Sequence, residues 1–293
     1  PMGRGNIGIG PFIKAAEMYN HVLICSNQAK NGPYERNFQI TSRLLDKVFS
    51  EFKIDQNRIY TAGFSGGARL AASIAIKTQM IQGVLACGAG MSSNDLLIQK
   101  NWDFSYAAIV GDRDMNLLEM INTQDYADKL NLSNELFVYD MRHKWPSQEQ
   151  VLEAFDWLEL EVTRKGAVQQ NQARIEELYS KFLEKAKRLE NENQLISALI
   201  EYQRLIDNFS LYLPMDSIIN KMMSLRESTE LKNQKKEREK IFQKERSLSE
   251  LFFERFYDDL KKSDQNLKWW EKRIDNLKNE KENAEEEKDK MLD

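Results

Sequence analysis

The sequence predicts an α/β fold, a parallel sheet with helices on both faces, followed by an all-α region. Three observations lead there. Short apolar, β-branched runs alternate with amphipathic runs as far as residue 162, the signature of a covered parallel sheet. All 13 glycines lie at or before Gly166, together with four of the five prolines and both histidines. Beyond "VTRKGAVQQ" the chain turns Lys/Glu/Leu-rich, with helical spacing and almost no breakers.

Taken in order, "HVLICSN" (21–27), "RIYTAG" (58–63), "GVLACG" (83–88), "YAAIVG" (106–111) and "ELFVYD" (135–140) read as strands, each a short apolar run closed by turn-forming residues. The intervening "FQITSRLLDKVFSEF" (38–52), "GGARLAASIAIKT" (66–78), "LLEMINTQDYADKLN" (117–131) and "SQEQVLEAFDWLELEV" (147–162) carry the three-to-four spacing of helices. The later part begins with "FLEKAKRLENENQLISALIEYQRLIDNF" (182–209), where Ala186, Leu189, Ala198, Tyr202 and Leu205 are spaced as in a helix-turn-helix pair, loosely like one tetratricopeptide unit. Leu267, Trp270, Ile274 and Leu277 then recur at steps of three and four, and the stripe fades through Lys281, Ala284 and Lys288. The expected division is an α/β domain over 1–165, a helical hairpin over 166–230 and long amphipathic helices over 231–293.

Composition narrows the partners. With 42 Lys+Arg against 46 Asp+Glu, the net charge of −4 gives no electrostatic reason to expect nucleic acid or an anionic membrane. No stretch approaches the roughly 18 apolar residues of a membrane span. Cys25 and Cys87 sit in apolar, strand-like runs and are expected as buried free thiols, with no redox role. No metal or organic cofactor is expected.

The chemistry points to residues 63–67, Gly63-Phe64-Ser65-Gly66-Gly67. A serine hydroxyl is a weak nucleophile at neutral pH, so it must be held out beside a base, with donors waiting for the oxyanion. Gly-x-Ser-x-Gly does this where a buried strand turns tightly into a helix. "RIYTAG" before and "GGARLAASIA" after supply that strand-turn-helix setting. The opening N–H groups of the helix then point at the site, and Gly66 is the natural first oxyanion donor. A serine that merely caps the helix is the simpler reading of such a turn.

The base must be His21 or His143. His21 begins its run and belongs at the non-catalytic end of a strand, since sites in such sheets lie beyond the carboxyl ends. His143 follows "ELFVYD" on the loop at the carboxyl end, with Trp145 able to pack that loop down and Pro146 set to open the next helix. The imidazole needs a carboxylate to fix its tautomer, and Asp112 and Asp114 both stand at the carboxyl end of "YAAIVG". Either can turn inward, and either can cap the helix that follows. The order serine, aspartate, histidine is the one used on α/β-hydrolase sheets.

These residues resemble α/β-hydrolase esterases of the dienelactone-hydrolase-like and polyhydroxybutyrate-depolymerase-like group. The resemblance is carried by "NRIYTAGFSGGARLAA" (57–72), the Gly-x-x-Asp step from Gly111 to Asp114, "HKWP" (143–146), "PMGRG" (1–5), similar to an oxyanion loop, and "SNQAKNGPYERN" (26–37). It covers about residues 1–162. It implies Ser65 as nucleophile, Asp114 rather than Asp112 as the acid and His143 as base. The oxyanion donors it implies are the N–H groups of Gly66 and of the first loop near Gly3 or Arg4. Met2 and Arg142 stand where relatives often carry histidine and glycine.

The resemblance also implies a strand ahead of "PMGRG", lying between the strands at 21–27 and 58–63. The chain opens at Pro1 inside that loop and is read as a fragment whose central strand is missing. A gap of about 9.6 Å between the two neighbours, twice the usual spacing, or a forced re-pairing is expected.

The function expected is a serine hydrolase that cleaves small carboxylic esters through an acyl-enzyme. Two alternatives are an interaction protein built on a relic hydrolase domain and a peptidase of the same fold. The former draws on the aromatic clusters "LFFERFYDDL" (251–260) and "WWEKRI" (269–274), which give the C-terminal helices the means to bind a protein partner.

Overall fold

A computed structural model describes residues 5–92, 102–261, 267–284 and 286–292. The described chain divides into two compact units, Pro1–Gln170 and Asn171–Asp293.

In the first unit, α1 (Gly5–Gly8), a 3₁₀ turn (Gly10–Phe12), α2 (Ile13–Tyr19) and α3 (Tyr34–Glu51) precede the sheet. Then follow β1 (Tyr60–Phe64), α4 (Gly66–Thr78), β2 (Gly83–Cys87), β3 (Ser105–Arg113), α5 (Leu117–Lys129), β4 (Asn134–Arg142) and α6 (Gln148–Arg164). The strands pair in parallel in the order β1-β2-β3-β4, so all four carboxyl ends open on one rim.

β2 is buried along its whole length and β3 over its first seven residues, which accounts for their unbroken apolar runs. On β1, successive side chains serve opposite faces. Thr61 Oγ1 donates to the Ala71 carbonyl of α4 at 3.0 Å, whereas the hydroxyl of Tyr60 donates to Glu159 of α6 at 3.0 Å. The two helices therefore cover opposite sides. α6 starts with a reciprocal capping box between Ser147 and Gln150; Pro146 stands just ahead of that cap.

The burial of α6 extends to three carboxylates, and each has partners. Asp156 accepts from the Tyr19 hydroxyl at 2.6 Å, and Glu161 accepts from Ser133 and pairs with Arg164. Glu159 pairs with Arg58 at 2.9 Å and lies 3.0 Å from His21 Nε2. His21 is thus bound into a structural network at the amino end of β1, the end expected for it.

The run 21–27 is not a strand, contrary to expectation. It is irregular, with Val22 60 % and Ile24 41 % exposed, and β1 stands at the edge of the described sheet. Neither a paired neighbour across a gap nor a re-pairing of this run is present among the described residues. Cys25, expected to be buried with the strand, is consequently exposed, while Cys87 inside β2 is buried; both are free thiols.

The second unit is all helix over its described residues: α7 (Gln172–Asn191), α8 (Leu195–Phe209), α9 (Asp216–Glu227), α10 (Thr229–Leu260), α11 (Leu267–Glu282) and α12 (Glu286–Leu292). α7 and α8 form a hairpin whose core includes Leu178, Phe182, Ala186, Ala198, Tyr202 and Leu205. Trp270 of α11 donates to Asp259 of α10 at 2.8 Å. The stripe from Leu267 to Leu277 is less buried than its spacing suggests, since Leu267 and Ile274 are exposed. Among the described residues no helix is long and apolar enough to cross a membrane.

Candidate active site

Ser65 joins β1 to α4 with φ 53° and ψ −123°, a conformation that a non-glycine residue adopts only when its surroundings enforce it. Several contacts enforce it. The Ser65 N–H donates to the Cys87 carbonyl at 2.8 Å, and the Ser65 carbonyl accepts the first helical N–H groups, from Ala68 at 2.9 Å and Arg69 at 3.3 Å. Gly63 lies so close to the returning helix that a Cβ there would run into the Gly67 carbonyl. The turn thus lifts the Ser65 side chain off the end of β1, where it caps nothing: no side-chain hydrogen bond closes the start of α4.

His143 follows β4 immediately. Its Nε2 lies 3.1 Å from Ser65 Oγ, and its Nδ1 lies 2.9 Å from Asp114 Oδ2 and 3.0 Å from Asp114 Oδ1. The Asp114 side chain is fully shielded, whereas the His143 side chain keeps 23 % of its surface open. The ring rests against Phe64, centroids 4.7 Å apart, and Phe64 in turn meets Trp145 at 5.1 Å. Trp145 packs edge-on to Phe12, so the loop that carries His143 is fastened on its apolar side, as its sequence predicts.

Two aspartates compete for the imidazole, and the β3–β4 register separates them. The pairing shifts between Gly111 and Arg113, where a Cβ on Gly111 would strike the Met141 carbonyl. Asp112 Oδ1 accepts the Met141 N–H at 3.3 Å beside this irregularity. Asp114, past it, turns to the rim. Its Oδ1 also accepts the N–H of Asn116 at 2.9 Å, while Asn116 Nδ2 donates to the Gly88 carbonyl at 2.7 Å. Asp114 and Asn116 form an Asx turn tied to the end of β2, a supporting role for Asn116 that sequence reasoning missed although the Asp-x-Asn spacing carries its signal.

Of the expected oxyanion donors, Gly66 is the first residue of α4, beside Ser65. Helix geometry leaves its N–H without a carbonyl one turn earlier to meet. Gly3 and Arg4 lie outside the described residues, as does Met2. Among the described residues no group of three or more His, Cys, Asp or Glu side chains is placed to hold a metal ion.

No protein-family model matches the chain, and no curated protein matches it in sequence. Solved structures similar to it include an S-formylglutathione hydrolase from Staphylococcus aureus, at 14 % identity and TM-score 0.36, over 43 % of this chain and 61 % of that one. The esterase PE8 is similar at 16 % identity and TM-score 0.37, over 43 % and 60 %. An acylaminoacyl peptidase from Pyrococcus horikoshii is similar at 11 % identity and TM-score 0.34, over 42 % and 26 %. The chain therefore spans about three fifths of the length of the first two. At these values the assignment of chemistry rests on this chain's own atoms.

Proposed function

We propose that the first unit is a serine hydrolase of the α/β-hydrolase type, acting on small carboxylic esters through an acyl-enzyme. The observation that carries this reading is the chain of contacts from Ser65 Oγ through both nitrogens of His143 to Asp114, starting from a serine in an enforced backbone conformation. A helix-capping serine requires neither feature.

In this mechanism His143 Nε2 takes the proton of Ser65 as Oγ attacks the ester carbonyl. Asp114 holds the Nδ1–H tautomer and stabilises the imidazolium that forms. The Gly66 N–H faces the oxygen that gains negative charge. Collapse of the tetrahedral adduct expels the alcohol, which receives the proton from Nε2. Water, deprotonated by the same nitrogen, then attacks the acyl carbon, and the proton returns to Ser65 as the acid leaves. The division into a catalytic domain over 1–165 and helical parts over 166–230 and 231–293 belongs to the same proposal.

A second reading concerns the second unit. Phe253, Phe256, Tyr257 and Leu260 of α10 are exposed at helical spacing, which supports a protein-binding role for these helices. A peptidase shares the triad, and parallel assays on p-nitrophenyl esters and fluorogenic peptides separate it from an esterase.

The test is labelling of the full chain with a fluorophosphonate followed by peptide mapping. The proposal expects a single adduct on Ser65, lost in Ser65→Ala. Failure to label, or undiminished labelling of the variant, overturns it.

A further inference from the structure

Gly63 and Gly66 flank the serine for different reasons. A Cβ on Gly63 meets backbone, whereas one on Gly66 meets no backbone closely: its nearest neighbours are Oδ1, Cγ and Nδ2 of Asn31, at 2.5, 3.1 and 3.3 Å. The φ of Gly66 lies outside the range reserved for glycine. A bare α-carbon at 66 therefore serves to admit the Asn31 carboxamide to the start of α4, next to the residue whose N–H faces the site.

Asn31 is held there by a built loop. The carbonyl of the preceding residue, Lys30, accepts from Arg36 Nη2 at 2.6 Å and from Asn37 Nδ2 at 2.9 Å, and Asn37 is itself buried in α3. The Ser26 hydroxyl accepts the N–H groups of Gln28 and Ala29, both at 3.1 Å. The following Gly32 takes φ +143°, with the Arg36 guanidinium 3.4 to 3.7 Å from where a Cβ would stand. The loop is thus fixed on both sides of Asn31. Asn31 is exposed, and among the described residues no hydrogen bond engages its carboxamide, so its two N–H donors are open to water or to a ligand.

We infer that Asn31 is a catalytic residue of the proposed hydrolase, its carboxamide N–H donating to the substrate's acyl oxygen alongside the Gly66 N–H. The inference rests on the esterase reading above and adds a side-chain donor to the oxyanion site. A half-turn of the amide exchanges Oδ1 and Nδ2, so the nitrogen can take the place beside Gly66 that Oδ1 holds without movement of the loop. A neutral amide stabilises the oxyanion without introducing a charge that the nearby imidazolium would have to share. Donors of this kind act chiefly on the transition state, so their loss lowers kcat rather than raising KM.

The experiment compares wild type, Asn31→Ala, Asn31→Asp, Gly66→Ala and the Asn31→Ala/Gly66→Ala double variant in the full chain. It measures kcat and KM on p-nitrophenyl acetate, the rate of fluorophosphonate labelling at Ser65, and the thermal midpoint. Asn31→Ala is expected to lower kcat and the labelling rate about 10²-fold or more, with little change in KM. Asn31→Asp keeps the shape but offers only acceptors when ionised, and is expected to fall further than Asn31→Ala at neutral pH. Gly66→Ala is expected to displace the carboxamide, so the double variant falls no further than Asn31→Ala.

Wild-type labelling with an Asn31→Ala rate within about threefold sinks this inference and leaves the esterase reading standing. Additive losses in the double variant also sink it. A wild type that never labels at Ser65 removes both. Where Asn31→Ala loses its fold, the isosteric Asn31→Asp decides at neutral pH: a large loss of kcat supports the inference, and activity equal to wild type is the contrary result.

Discussion

Replacing Asp114 by asparagine keeps its shape and removes its charge, and the neighbouring contacts dictate how the new amide lies. Asp114 Oδ1 accepts the N–H of Asn116 at 2.9 Å and lies 3.0 Å from His143 Nδ1, whereas Oδ2 lies 2.9 Å from that nitrogen and, among the described residues, has no other hydrogen-bond partner. The amide oxygen must take the Oδ1 place, because an NH₂ there would oppose the Asn116 N–H and leave a shielded donor unpaired, at a cost of about 1–3 kcal/mol. The NH₂, at the shorter of the two contacts with Nδ1, then donates to it and favours the proton on Nε2, where it blocks acceptance of the Ser65 proton. The imidazolium also loses its counter-charge. The tautomer error together with the lost charge is worth about 10³–10⁴ in rate, or roughly 4–5.5 kcal/mol. The assay is kcat/KM on p-nitrophenyl acetate beside the rate of fluorophosphonate labelling, with circular dichroism to verify the fold. Asp112→Asn, whose carboxylate contacts the Met141 N–H instead, is expected to stay within about tenfold of wild type, a barrier change near 1.4 kcal/mol. Equal losses in the two variants, or less than a tenfold loss in a folded Asp114→Asn, refute the assignment.

Gly63→Ala drives a methyl group into the Gly67 carbonyl and is expected to destabilise the first unit by about 3 kcal/mol. Gly166→Ala, at φ +76° with open space around it, is expected to cost only about 1–2 kcal/mol; urea midpoints compare the two. Burial pushes the thiol of Cys87 up, and the partial shielding of the Cys25 sulfur, on an otherwise exposed residue, raises that thiol less strongly. An aromatic disulfide reagent at mild alkaline pH is therefore expected to modify exposed Cys25 in the native chain and Cys87 only after unfolding, and two fast thiols contradict this. Burial pushes the Glu201 carboxyl up, but the guanidinium of Arg204 and the ammonium of Lys185, 2.5 and 2.8 Å away, outweigh it and hold the group below its usual range. A depressed carboxyl stabilises the fold above its unfolded value of about 4.3, and that stability is lost as the pH falls through the folded value. The thermal midpoint of the helical signal is thus expected to drop between pH 5 and pH 3 more in wild type than in Glu201→Gln, and parallel curves contradict it.

Much of the architecture is legible in the sequence because local pattern and tertiary setting agree. The apolar runs at 83–88 and 106–111 are strands buried on both faces, and the amphipathic runs at 66–78 and 147–162 are helices. The run 21–27 is just as strand-like by composition, yet strand formation requires a partner. With none beside it among the described residues, Val22, Ile24 and Cys25 face solvent. The residues by themselves leave Asp112 and Asp114 open and only the Gly-x-x-Asp resemblance favours Asp114, because the physical difference is a register irregularity at Gly111. His143 is legible because it follows the strand β4 directly, whereas the strand expected to carry His21 does not form and its place is set by Glu159 and Arg58. The contact between Asn31 and Gly66 spans two segments that no short motif connects.

The most direct measurement is rapid-quench mass spectrometry of the full chain mixed with p-nitrophenyl acetate. The account predicts a burst of p-nitrophenol stoichiometric with protein, an acetyl group on the peptide that bears Ser65, and neither burst nor adduct in Ser65→Ala. Turnover with no acyl group on Ser65, or with the acetyl group on another side chain, contradicts it.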